Sequence, residues 1–333
     1  MADVMFSYSI TEDPQTGWQI VHLNAGNVEN HQNNLSIKVA PQGGNHMFSF
    51  KAGSHELINA PDDLSEMLKR STANPILYPT PNRVRNSEYT FRGETYKMSF
   101  PGETRSHMCH GLVWDDTAWN FSEPEVRTDA VTLKTWYVFD ESNPRFPAYP
   151  FRNTLYVEYA LFEDRLRISY EVENQDDNPL GFGFALHPFW NVIGSKEETR
   201  IQAALPYHME ATSDLLPTGK LEPVEETELS LLEPTPLAGL RLDDVYFGAA
   251  PDAMIRVIYD SIGLEIKQKA TADFTHVVVY TPDRNYFCIE NQTCSTDAHN
   301  LHSKGFERES HLQIVQPGGR TGGHVDFIIS LKE

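Results

Sequence analysis

Apolar and polar residues alternate with a period of two along most of this chain, the spacing of half-buried β-strands rather than of helices. Residues 18–23, 35–40 and 47–50 read as short strands, with Pro41-Gln42-Gly43-Gly44-Asn45 as the turn between the last two. Residues 89–96 form a hairpin turning at Arg92-Gly93. A clearer one runs along 155–162, turns over Glu163-Asp164-Arg165 and returns along 166–172. Further strands are predicted at 200–205, 254–259, 264–268, 276–280, 311–315 and 324–331. One helix is predicted, over 62–70, where Pro61 and two aspartates suit an N-terminal turn. The stretch 211–239, rich in Pro, Glu and Leu, reads as a long surface excursion, since strands of one sheet system flank it. The expected fold is all-β: a large antiparallel β-sandwich with very few short helices, as one domain over residues 1–333.

Two of these apolar runs end in unusual chemistry. Tyr286-Phe287-Cys288-Ile289 leads into Glu290, followed by Asn291, Gln292 and Thr293. A carboxylate at an apolar strand end is costly unless it is paired or put to use. About a hundred residues earlier the apolar run 180–186 ends on His187-Pro188-Phe189-Trp190. Its glycines, Gly181 and Gly183, allow close backbone approach. Flat apolar faces beside the imidazole suit a ligand pocket. His187 and Glu290 therefore form a candidate acid/base pair, with Trp190 and Gln292 as candidate substrate contacts.

Composition narrows the partners. The chain carries 47 acidic against 27 basic residues, a formal net charge of -20, which repels nucleic acid and anionic lipid. Three cysteines, Cys109, Cys288 and Cys294, with no Cys-x-x-Cys pair, fit a reduced compartment better than a disulfide scaffold. No export signal and no membrane-length apolar run is visible, so the cytoplasm is the expected location. No dinucleotide, phosphate-loop or nucleophile-elbow motif occurs.

Four more residues qualify as substrate contacts. His110 precedes Gly111, which permits a turn that exposes the imidazole; His107, three residues earlier, lacks the further partners a metal site needs. Asn82 and Arg83 stand on a proline-rigid loop able to present them with little loss of entropy. Asp243 opens an apolar aromatic run, as either a turn residue or a ligand contact. Trp119 either walls the same pocket or fills the core.

Several blocks occur in a telling order: Pro75-Ile76-Leu77-Tyr78-Pro79 through Asn82-Arg83-Val84-Arg85-Asn86, then the 89–96 hairpin, then His110-Gly111 with Trp119. His187-Pro188-Phe189-Trp190, Leu216-Pro217-Thr218-Gly219 and Leu242-Asp243 follow, and then Glu290, Gln292, Thr293, Asp297 and Asn300. In this order the chain resembles the aldose 1-epimerase, or galactose mutarotase-like, family. The resemblance implies a large β-sandwich and cofactor-free interconversion of the α and β anomers of an aldose. It implies that His187 acts as acid at the ring oxygen and Glu290 as base at the anomeric hydroxyl, with His110, Asp243 and Arg83 holding the sugar. Many relatives carry arginine four residues after the histidine matching His110, where this chain has Trp114; that contact is not carried over.

The chemistry agrees with the resemblance. Ring opening needs a proton delivered to the ring oxygen while another leaves the anomeric hydroxyl. The acidic surroundings are expected to favour an imidazolium at His187, with Glu290 ionised. Three other readings remain open from the sequence. One is a sugar-binding protein without catalysis, and another is a glycosidase using Asp243 and Glu290. The third is a hexose-phosphate mutarotase drawing on Arg83, Arg85 and Arg105.

Overall fold

Two antiparallel sheets carry most of the chain, and each gathers strands from widely separated parts of the sequence. The computed structural model describes residues 4–27, 34–100, 103, 108–225 and 227–331. Across the larger sheet the order runs Asn120–Phe121, Val131–Phe139, Asn153–Leu161, Arg165–Asn174, Arg320–Leu331, Leu264–Ala270, Ile255–Tyr259, Thr199–Ala203 and Thr235–Pro236. The smaller runs Pro217–Pro223, Tyr207–Ala211, Asp243–Phe247, His276–Tyr280, Tyr286–Gln292, Ala185–Leu186 and Ile76–Leu77, with Phe189–Asn191 also paired to Tyr286–Gln292. A separate five-stranded sheet, Val4–Glu12 through His55–Glu56, precedes them.

Alternation produces the sandwich. Along Arg165–Asn174 every second side chain, including Leu166, Ile168, Tyr170 and Val172, is buried. The inward side of the larger sheet meets the opposite layer: Tyr170 stacks on Phe184, just before Ala185–Leu186, at 4.2 Å, and Phe327 of Arg320–Leu331 meets Trp190 edge-on at 5.6 Å. Such aromatic pairs contribute about 0.5–1.5 kcal/mol each beyond the area they bury. Strands make up 48% of the structure, and among the described residues only two short α-helices occur, in keeping with an all-β fold.

The turns follow their residues. Arg92 (φ 53°) and Gly93 (φ 85°) close the hairpin between Glu88–Phe91 and Glu94–Lys97, the left-handed pair that suits the twist of the strands. The longer hairpin pairs Leu161 with Leu166 across the predicted Glu163-Asp164-Arg165 turn.

Three elements differ from expectation. Helix over 62–70 shrinks to a 3₁₀ turn, Leu64–Leu68, capped where Ser65 N–H donates to Asp63 Oδ1 at 3.0 Å. Soon afterwards Ala73 N–H donates to the Asn59 carbonyl at 3.0 Å, which draws the chain back before a further turn can form. The two helices, Ala298–Ser303 and Glu307–Ser310, lie instead after the Glu290 strand. The 211–239 stretch is more than a surface excursion: it supplies the edge strands Pro217–Pro223 and Thr235–Pro236, one to each large sheet. Its Leu216, Val224, Leu231 and Leu237 are buried. Among the described residues no helix is long and apolar enough to cross a membrane.

Close approach at Gly183 fixes the entry to the site. A Cβ there would lie 2.1 Å from Cys294 Sγ and 2.7 Å from Pro81 Cδ. Gly183→Ala should therefore destabilise the fold by about 1–3 kcal/mol, read as a lower urea midpoint at unchanged slope.

Candidate active site

Register places the two central residues face to face. Ala185 pairs with Gln292 and Phe189 pairs with Cys288, on either side of a break at His187-Pro188. The same register carried across the break sets His187 opposite Glu290. Their side chains meet, with Nδ1 3.3 Å from Glu290 Oε1, although the alignment is not that of a hydrogen bond. Glu290 lies inside the strand Tyr286–Gln292 rather than at its end. Alternation puts Cys288, Glu290 and Gln292 on one face and Ile289 and Asn291 on the other. On that second face Asn291 Nδ2 donates to Gln268 Oε1 of the larger sheet.

A cavity of about 260 Å³ opens beside the pair, lined by Ser71, Asn82, Arg83, His110, His187, Phe189, Asp243, Val278, Tyr280, Tyr286 and Glu290. The His187 ring stacks on Phe189 at 4.5 Å and meets His110 edge-on at 5.0 Å. Phe189 in turn meets Tyr286 at 5.3 Å, so two aromatic rings form one wall. A larger groove of about 530 Å³ beside Arg92-Gly93 has no carboxylate in its lining.

Backbone strain presents the remaining polar groups. Asn82 and His110 both adopt left-handed φ, 60° and 68°, a conformation uncommon outside glycine. His110 N–H donates to the Asn82 carbonyl at 2.8 Å, which locks the two turns together. Gly111 lies so close to Tyr78 that a Cβ would sit 2.2 Å from its carbonyl oxygen. Asn82 Oδ1 accepts from Arg83 N and Nη1 at 2.9 and 3.0 Å, while Arg83 Nη2 lies 3.8 Å from Asp243 Oδ2.

The segment following Glu290 braces this loop. Asp297 N–H donates to the Arg83 carbonyl at 3.0 Å, and Asp297 Oδ1 accepts from Arg85 N at 3.0 Å. Asn300 Nδ2 donates to Asp297 Oδ1 at 2.7 Å and to the Glu88 carbonyl at 2.8 Å. Asp297 and Asn300 thus hold the loop that holds Asn82 and Arg83.

Family membership follows from the length of chain that matches. The model of the family described as aldose 1-epimerase matches residues 28–327. The chain belongs to the aldose 1-epimerase family. Its fold is similar to a galactose mutarotase-like protein of Clostridium acetobutylicum, with a TM-score of 0.85 and 16% identity over 99% of each chain. The galactose 1-epimerase of Lactobacillus acidophilus matches with a TM-score of 0.76 and 15% identity, over 99% of this chain and 100% of that one. Mouse galactose mutarotase is 26% identical over 171 residues, 50% of this chain and 46% of that protein.

Against this family background, six of the eight residues singled out in the sequence line one cavity: His187, Glu290, His110, Asp243, Arg83 and Asn82. Trp190 and Gln292 do not. Trp190 alternates away from Phe189 into the sandwich and is 0% exposed. Gln292 is equally buried, and its Nε2 donates to Glu290 Oε2 at 3.1 Å, so it orients the carboxyl. Phe189, not Trp190, supplies the aromatic wall, as strand alternation from His187 could have told. Ser71 carries no such signal. Trp119 fills the core, its Nε1 donating to the Val113 carbonyl at 2.9 Å. Trp114 is buried against Leu77 and Ala185 beneath the His187 strand. Arg145 holds the segment on both sides of Trp114 through Leu112 O (2.8 Å), Asp115 O (3.0 Å) and the Asp116 carboxylate (2.7 Å). His107 and Arg105 lie outside the described residues.

Burial works against the expected protonation. Desolvation, followed by the neighbouring His110 charge, drives His187 well below the usual imidazole range. Desolvation raises Glu290 well above the carboxylate range, with Asp243 adding to it and Gln292 opposing. In the free site burial thus favours the neutral imidazole and the protonated carboxyl over their charged forms. A raised carboxyl contributes to stability below its unfolded pKa, near 4.5, and that contribution fades as pH climbs through the folded pKa. Glu290→Gln, which cannot ionise, should match the parent in thermal stability near pH 4 and exceed it at pH 8. The gain expected is about 1–4 °C, read by parallel melting scans.

Proposed function

We propose that this chain interconverts the α and β anomers of an aldose by acid/base ring opening and reclosure, with His187 and Glu290 moving the protons. The observation that carries this reading is the pair itself, 3.3 Å apart at the wall of a small polar cavity with an aromatic side.

The proton count closes. With sugar bound, its hydroxyls replace the water that burial removed and favour the charged form of the pair, an imidazolium and a carboxylate. His187 gives its proton to the ring oxygen while Glu290 takes the proton of the anomeric hydroxyl. The C1–O5 bond breaks, leaving an open-chain aldehyde beside neutral His187 and protonated Glu290. This is the charge state the dry site itself prefers, so burial stabilises the intermediate's partners. Rotation about C1–C2 turns the other face of the aldehyde to the ring hydroxyl. His187 then removes that hydroxyl's proton, Glu290 returns one to O1, and the pair is back where it began.

His110, Asn82, Arg83 and Asp243 hold the sugar hydroxyls in this reading, with Phe189 and Tyr286 against its apolar face. Arg83 is the one arginine or lysine among the described residues lining the cavity, and it already faces Asp243. Arg85 turns instead toward Asp297. An unphosphorylated aldose therefore fits better than a sugar phosphate.

Anomer-exchange NMR with free hexoses and pentoses is the test. Glu290→Gln and His187→Asn should each lower the rate by about 10²- to 10⁴-fold, and the double variant should be little worse than either single one. Parent-like exchange in both single variants would strip His187 and Glu290 of these roles.

A further inference from the structure

We propose that His187, Cys288 and Glu290 form a three-donor site for a thiophilic divalent cation such as zinc or cadmium, and that its occupation switches the active site off. The cation site stands on geometry alone; only the inhibition rests on the proposed mutarotase reading.

One nitrogen, one sulfur and one carboxylate oxygen of these residues lie within 4.8 Å of one another, and all three residues are buried. Tetrahedral zinc, with bonds of about 2.0–2.3 Å, needs its donors roughly 3.3–3.8 Å apart. His187 Nδ1 and Glu290 Oε1, at 3.3 Å, meet that spacing already. The 4.8 Å bound on the whole set leaves about an ångström of inward movement to reach that spacing. Among the described residues His187 Nδ1 is buried without a hydrogen-bond partner, and it points toward the Glu290 carboxyl, the second donor of the set. Strand geometry fixes the set, since Cys288 and Glu290 alternate on one face of Tyr286–Gln292 and Phe189, two residues beyond His187, pairs with Cys288.

The donor types choose the ion. A thiolate with an imidazole favours zinc-like and softer ions, whereas magnesium and calcium prefer oxygen cages. Binding expels the thiol proton, together with any proton on the Glu290 carboxyl, to solvent and leaves a fourth position for water. Once coordinated, the imidazole and the carboxylate can no longer exchange protons with a sugar.

Cadmium titration of the full chain tests this, following the ultraviolet thiolate-to-cadmium charge-transfer band and anomer exchange in parallel. One equivalent should raise the band, exchange should fall with the same occupancy, and a chelator should reverse both. Cys288→Ala should lose the band and raise the cadmium concentration for half-inhibition at least tenfold, while Cys109→Ser keeps both responses. If Cys288→Ala does not fold, His187→Asn should weaken cadmium binding at least tenfold by the same band, which needs no activity. No band at stoichiometric cadmium, or one that survives Cys288→Ala, overturns the proposal. A Cys288-dependent band on a chain with no anomer exchange even without metal would keep the cation site and discard the mutarotase reading.

Discussion

Two ionisable groups withdrawn from water and held 3.3 Å apart set the terms for the rest of this structure. An isolated buried charge is costly, and two neutral partners that become charged only together are a way to keep such groups inside. The backbone ladder achieves this placement: the strand carrying Glu290 pairs with one short strand on each side of His187, so neither residue depends on a flexible loop. Several of the polar groups around them are likewise tied to backbone. His110 is held to Asn82, Asn82 to Arg83, and Arg83 to Asp297, in a chain of hydrogen bonds from three separate parts of the sequence.

Much of this is legible in the order of residues alone. Period-two alternation and the Gly, Asn and Asp turn residues specify the hairpins at 89–96 and 155–172 nearly residue for residue. His187 and Glu290 stand out because ionisable groups interrupt otherwise apolar runs. Strand parity is the weak point. Reading outward from His187 without tracking which side each residue faces sends Trp190 to the cavity, where Phe189 belongs. Gln292 fails for a related reason: it shares the face of Glu290 but stands deeper, behind the carboxyl rather than beside the cavity.

Other elements escape for physical reasons of their own. Val131–Phe139 buries one face throughout, but the other carries half-buried Trp136 and Val138 beside exposed Lys134, so its alternation in the sequence is blurred. In 211–239 prolines and glutamates mask four well-spaced leucine and valine positions that the sandwich buries. Helix Ala298–Ser303 begins from Asp297 in a left-handed conformation (φ 55°), with no side-chain cap, and so lacks the usual start signal. The protonation of the pair is equally hidden. A net charge of -20 speaks for an imidazolium, but it lies mostly in solvent, while desolvation acts on the site directly.

The strand Arg320–Leu331 lies between Arg165–Asn174 and Leu264–Ala270, at the middle of the larger sheet rather than at its rim. As a ribosome delivers the chain, both halves of that layer emerge before the piece that joins them. Each half waits with an open ladder edge, the kind of surface that pairs with a stranger if left exposed. Sheet closure is thus a late event with a long reach along the sequence. The interval before it is when a nascent molecule most needs a chaperone's cover.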